Sequence, residues 1–329
     1  MMEYYFTNKK SNNNKYKYLQ KIGSGGFSYV YLVEDQANNN YYAIKILEKL
    51  TPSFNKEISM HEKVSLIKNP YIINFIDSGK VSIKSNERPI EKKQCVMLEY
   101  ASKGELYDYI YYTVEGLKEK YAKFIFRKIL IGVQAMHNLG ICHRDLKIQN
   151  ILLDESFNPK ICDFGFATEI FEEDGSDKLN EFVGTLNYAA PEILLRKPYN
   201  GIKIDIFSLG VILINLVTKK LGFSVAHKSD NYYNYIINKK YNLYWDSVKG
   251  QIRNTSDDFK KLYLKMVSFN PDERPNIEEI LNDSWMKEIN DLNENGYKCL
   301  EKEVCKELEN IIESKKNNKK NNILKYKDI

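Results

Sequence analysis

Apolar and polar positions alternate in short runs from Tyr16 onward, across a glycine-rich turn and through residues 29–34 and 41–47, with Asn38, Asn39 and Asn40 between the last two runs. Alternation of period two, punctuated by Gly and Asn, predicts antiparallel strands joined by hairpins. The period changes at residues 56–67, where Ile58, Val64 and Ile67 stand among charges and Pro70 follows the end, so one helix interrupts the sheet. Strands resume at 72–77 and 95–99, on either side of a polar insertion at 84–93. After Gly104 the texture is helical, with 117–139 apolar at helical spacing and further helices at about 205–218, 256–268 and 276–288. A β-rich first part followed by a larger α-rich part predicts an α+β chain.

The longest apolar run, 206–217, is broken by Ser208 and Asn215 and is too short to span a bilayer, so a buried helix is expected there. The first 14 residues and the stretch from about Lys315 are rich in Asn and Lys, too poor in apolar surface to offset chain entropy, and are expected to be disordered. A length of 329 residues exceeds the usual single core and favours two lobes. The formal charge of +5 resides in six lysines after Ser314, set against Asp328. The remainder is formally neutral, which gives nucleic-acid binding little electrostatic support. Five cysteines without CxxC spacing suggest neither a disulfide framework nor a zinc site, and a reducing compartment, cytoplasmic or nuclear, is expected. No apolar leader opens the chain and Met2 stands where a myristoylation signal needs Gly, so no membrane anchor is expected.

Several motifs carry chemistry. In GSGGFSYV, Gly23, Ser24, Gly25 and Gly26 make a turn of small residues between strands, where backbone N–H groups can approach phosphates closely. Lys45, in YAIK on the third strand, would need a carboxylate from the following helix to hold its ammonium. Glu57 and Glu62 both qualify, but five residues leave them roughly 140° apart on a helix, so only one can face the lysine. HRDLKIQN, from His143 to Asn150, is more specific, because five of its eight positions match a template with separate jobs. Asp145 would orient a substrate hydroxyl and accept its proton, Lys147 would neutralise a γ-phosphate and Asn150 would hold magnesium. Thirteen residues on, Asp163 opens the triplet Asp163, Phe164, Gly165 and offers magnesium a second hard oxygen ligand. GTLNYAAPE, from Gly184 to Glu192, closes the segment that Asp163 opens.

In this order the motifs resemble the protein kinase family, over about Tyr18 to Lys287. The resemblance implies the bilobal kinase fold: a small β-rich lobe with one main helix at about 15–99, a hinge at about 99–102 and a larger helical lobe at about 103–287, flanked by a disordered segment at 1–14 and a helical, basic extension at 288–329 with a disordered end. It implies ATP and magnesium as cofactors. Ile22, Val30, Ala43 and Leu152 would sandwich adenine, Glu99 to Ala101 would read it through backbone groups behind Leu98 as gatekeeper, and Glu105 would contact ribose. Glu57 resembles the lysine's partner most, from KEISMH, with Glu62 remaining as its rival. Asp205 would anchor the catalytic loop, and Glu192 with Arg274 would form a buried ion pair. Lys147 and Thr185 resemble the serine/threonine type; Trp285 and the run ELYDYI lean toward the calmodulin-dependent kinase-like group, while KEISMH is also similar to a fungal meiosis-regulator group. Protein substrates are the partners implied, and a monomer is expected; the helix-like, mixed-charge residues 298–314 with the basic tail read either as a solvated extension or as an element for a regulatory partner.

Two departures bear on activity. Ser28 replaces the third glycine of the loop, without blocking ATP. Glu181 falls where many kinases place an activating phosphothreonine, and Arg144 is the residue that would bind it; Glu181 would then replace the phosphate with about one charge in place of roughly two. The alternative to an active kinase is a pseudokinase or scaffold that binds ATP without efficient transfer.

Overall fold

A computed structural model of the chain describes residues 3–7, 14–25, 28–48, 52–85, 88–170, 178–249 and 255–325. They form two compact units that divide after Ser102.

The first unit is a closed antiparallel barrel of β1 (Glu3–Thr7), β2 (Asn14–Ser24), β3 (Ser28–Asp35), β4 (Tyr41–Leu47), β5 (Phe75–Ser85) and β6 (Arg88–Glu99), in the order β1-β2-β3-β4-β6-β5. Tyr16, Val33, Ile44, Ile46, Val81, Cys95 and Met97 fill its interior. The helix α1 (Pro52–Ser65) packs outside, Phe54 and Ile58 meeting Leu47, Val96 and Leu98. Two expectations are corrected. Residues 3–7, expected to be disordered, pair with both β2 and β5 and close the barrel; the run EYYFT has high strand propensity inside its polar surroundings. The polar insertion is a continuation of the β5–β6 hairpin, paired from Lys80↔Gln94 to Ile83↔Glu91, since ladder hydrogen bonds require no apolar side chains. The helix α1 also begins four residues early, with Pro52 at the first helical position, where its missing N–H costs nothing.

The second unit runs β7 (Gly104–Glu105), α2 (Leu106–Tyr112), α3 (Glu119–Asn138), β8 (Ile141–Cys142), β9 (Ile151–Leu153), β10 (Pro159–Ile161), β11 (Thr168–Glu169), β12 (Lys178–Leu179), α4 (Pro191–Leu194), β13 (Tyr199–Asn200), α5 (Gly201–Thr218), α6 (Asn231–Ile237), α7 (Tyr241–Val248), α8 (Asp257–Met266), α9 (Ile277–Leu281), α10 (Lys287–Asn290) and α11 (Glu294–Lys325). The apolar run became α5, which is long and apolar enough to cross a membrane by composition alone but is buried along most of its length. Its Gly210 lies flush with α8: a Cβ there would sit 2.7 Å from Val267 Cγ1 and 3.0 Å from Met266 Cβ. Arg274, fully buried, forks onto Glu192 at 2.6 and 2.7 Å and donates to the Lys203 and Ser268 carbonyls. The helix expected over 276–288 breaks after α9, because Asp283 turns its carboxylate onto the Trp285 N–H at 3.0 Å and starts a new turn.

The C-terminal helix corrects a further expectation. Residues from Lys315 were expected to be disordered, yet α11 continues to Lys325 and its first half is docked. Leu300, Val304 and Leu308 are buried, and the Tyr297 ring lies 4.9 Å from that of Phe124. Lys128 of α3, only 3% exposed, donates to Glu301 at 2.8 Å and to Asn158 at 2.7 Å. Lys120–Glu303 and Lys315–Asp108 extend the seam onto α3 and α2. One apolar residue per turn, flanked by ion pairs, thus suffices to hold the helix.

Leu308→Ala should lower unfolding stability by about 2–4 kcal/mol, against less than about 0.5 kcal/mol for the exposed neighbour Glu309→Ala. Denaturant titration of the full chain decides; equal small losses for both variants would mean that α11 is not docked.

Candidate functional site

Each unit carries its own set of candidate residues. In the first, the ladder sets Val30 opposite Lys45 and Leu32 opposite Ala43, with Val96 and Leu98 facing Lys45 and Ala43 from β6. Cross-strand partners share a face, so Val30, Ala43, Lys45 and Leu98 lie together on the outside of the barrel, the face that α1 covers in part. Lys45 Nζ lies 2.5 Å from Glu57 Oε1, and both side chains are largely buried. Glu62 is exposed, which settles the alternative that the spacing left open. Two bonds to the chain around β5 fix the helix: His61 Nε2 donates to the Ile73 carbonyl at 2.7 Å, and Ser65 Oγ accepts from the Phe75 N–H at 2.7 Å. In the glycine-rich turn, Gly23 and Ser24 pair with Val30 and Tyr29, and Gly25 N–H donates to the Ser28 carbonyl at 2.8 Å. Ile22 is exposed beside them; Gly26 lies outside the described residues. At the end of β6, Glu99 Oε2 accepts from the backbone and side-chain N–H groups of Asn74, both at 3.0 Å, just ahead of the buried Ala101.

In the second unit Asp205, fully buried on α5, organises the loop after β8. Its carboxylate accepts from the His143 N–H at 2.8 Å, the Arg144 N–H at 2.9 Å and His137 Nε2 at 2.9 Å. Arg144 and Asp163 both hold positive φ, 65° and 66°, a conformation that costs a non-glycine residue free energy and is kept where surrounding contacts demand it. His143 Nε2 lies 3.1 Å from the Cys162 carbonyl, which can only accept. That nitrogen therefore carries the proton, and Nδ1 accepts the Asp145 N–H at 3.3 Å.

Three donors enclose the Asp145 carboxylate: Lys147 Nζ at 2.7 Å, Thr185 Oγ1 at 2.7 Å and Asn150 Nδ2 at 3.3 Å. Lys147 also reaches Thr185 Oγ1 at 3.0 Å. Asn150 Nδ2 donates further to the Asp145 carbonyl at 2.9 Å, so its NH₂ is committed to the loop and its amide oxygen is turned the other way. The β9–β10 hairpin brings Asp163 beside it, since the Cys162 N–H donates to the Asn150 carbonyl at 3.0 Å. Leu152 on β9 pairs with Glu105 at the start of α2. Partial burial, with Asp108 adding and Lys147 opposing, holds the Glu105 carboxyl above its ordinary value. The segment opened by Asp163 returns at Gly184, whose φ is +92° and where a Cβ would sit 2.6 Å from the Arg144 carbonyl oxygen. Arg144 Nη1 pairs with Glu181 Oε2 at 2.7 Å. The acidic stretch of the same segment at 171–177 lies outside the described residues. The motifs use Thr185 only as a mark of type and do not include His137.

The Protein kinase domain profile matches residues 16–286. A putative serine/threonine-protein kinase of Saccharomyces cerevisiae, YPL150W, is 31% identical over 83% of this chain and 28% of its own length. Rice serine/threonine-protein kinase SAPK1 is 33% identical over 82% of this chain and 75% of its own. CBL-interacting serine/threonine-protein kinase 13 of Arabidopsis thaliana is 32% identical over 83% of this chain and 51% of its own. The match therefore spans about a quarter of the yeast protein and half of the Arabidopsis one, and most of the rice kinase. A family domain over four-fifths of the sequence, shared with relatives of one substrate type, means that the chain belongs to the serine/threonine branch of the protein kinase family.

Proposed function

We propose that this chain transfers the γ-phosphate of ATP, with magnesium, to serine or threonine hydroxyls of protein substrates, and does so before any phosphorylation of its own. The observation that carries this reading is the Asp145 carboxylate, held by Lys147, Asn150 and Thr185. Asp145 is suited to align the acceptor hydroxyl and take its proton, and Lys147 beside it to neutralise charge on the phosphoryl group in flight. Lys45, restrained by Glu57, serves the other phosphates.

The donor set fits magnesium. Asn150 offers an amide oxygen and Asp163 a carboxylate, both hard ligands, and no group of three or more His, Cys, Asp or Glu converges among the described residues. Two protein ligands suit an ion that keeps phosphate oxygens and water for its remaining positions. When bound, it supplies charge neutralisation on the phosphates.

Activity before phosphorylation is supported by the Arg144–Glu181 pair, in which a carboxylate occupies the partner position of an activating phosphate. Glu181 is 61% exposed, and screening limits what such a pair contributes.

In transfer assays with labelled ATP and a serine/threonine peptide, Asp145→Asn should lower kcat by about 10²–10⁴-fold; a loss below tenfold would remove Asp145 from the reaction. Glu181→Ala should slow the unphosphorylated enzyme about two- to fivefold, and unchanged turnover would show that Glu181 does not stand in for phosphate.

A further inference from the structure

The exposed Glu181 carboxylate is a weak hold on Arg144, yet the guanidinium is only 3% exposed and makes three contacts. Its Nε donates to the Phe166 carbonyl at 2.7 Å, and Nη1 divides its two hydrogens between Glu181 Oε2 and the Tyr199 hydroxyl, the latter at 3.2 Å. The same hydroxyl donates to the Glu181 backbone carbonyl at 2.9 Å. One phenol thus accepts from the residue that precedes Asp145 and donates to the main chain of the segment that ends at Glu192.

The backbone of Tyr199 grips that segment as well. The ladder pairs Lys178↔Asn200 and Leu179↔Tyr199 join β12 to β13, with Leu179 and Tyr199 both buried. Behind them the chain has no slack. Asn200 caps α5, its Oδ1 accepting from the Ile202 and Lys203 N–H groups at 2.9 and 3.2 Å, and a Cβ on Gly201 would sit 2.9 Å from Cys142 Cβ, on the strand that leads into the catalytic loop. The strand that leads directly into the Asp205 helix, β13, therefore carries the clamp on residues 178–181, six residues before Asp205.

We infer that Tyr199 is a positioning residue, whose hydroxyl locks residues 178–181 to Arg144 and so holds the catalytic loop in working order without a phosphate. The inference rests on the reading of the chain as an active kinase. Electrostatics agree with the bonding. Burial raises the Tyr199 phenol above its ordinary value, although Arg144 opposes it, so the O–H needed by the Glu181 carbonyl is present at neutral pH. Burial also works against the charge on Arg144, and its hydrogen bonds to Glu181 and to the Tyr199 hydroxyl favour that charge. A hydrogen bond between a buried phenol and a buried cation outweighs an exposed ion pair, so the hydroxyl should matter more than the Glu181 carboxylate.

The test uses the full chain, dephosphorylated, as parent, Tyr199→Phe, Glu181→Ala and the double variant, with kcat and both KM values measured. Tyr199→Phe should lower kcat about tenfold or more with the KM for ATP within about twofold. Glu181→Ala should cost less in the Tyr199→Phe background than in the parent, because both act through Arg144. Backbone hydrogen exchange at residues 178–182 should accelerate in Tyr199→Phe. A kcat within twofold of the parent, or losses that simply multiply, would overturn the inference. If the parent itself fails to transfer phosphate, the kinase reading fails, and exchange at 178–182 still decides about Tyr199: no acceleration refutes the clamp.

Discussion

The site depends on one buried carboxylate. Asp205 has no exposure to solvent, and an ionised carboxylate without donors in such a place would cost several kcal/mol. The donors are the amides of His143 and Arg144 and the ring of His137. Successive amides converge on an anion when the chain takes a nest-like turn, and the positive φ of Arg144 marks that turn. Asp145 follows directly, so a requirement of the helical core fixes the direction in which its side chain leaves the chain. The remaining contacts of Asp145 refine a position already set from below.

Much of this was legible because the residues concerned stand close together in sequence. Asp145, Lys147 and Asn150 fall within six residues and contact one another, so their motif describes a local geometry. Lys45 and Glu57 were harder. The spacing admitted Glu62, and the decision came from where α1 begins and from the anchors His61 and Ser65, none of which the local pattern states. The glycine-rich turn was recognisable from composition, although its register depends on an irregularity between Lys21 and Gly23.

What escaped had physical reasons. The strand β1 and the long β5–β6 hairpin are held by backbone pairing, which leaves little trace in a polar sequence. The helix α11 buries one apolar residue per turn and relies for the rest on pairs such as Lys128–Glu301, a pattern that reads as solvated when its partner surface is unknown. Tyr199 is one of 25 tyrosines, and its role exists only through residues 18 and 55 positions away.

The second unit holds the Asp145 loop from one helix: α5 supplies Asp205 beneath the loop, and β13 leads into that helix. The proposed function requires that the folded chain transfer phosphate before it carries any. The progress curve of phosphate transfer from ATP to a serine/threonine peptide, by chain shown by intact mass to carry no phosphate, is the most direct measure of this. A curve linear from mixing, with the enzyme's mass unchanged, is the result predicted; a lag that ends as the enzyme gains phosphate would contradict it.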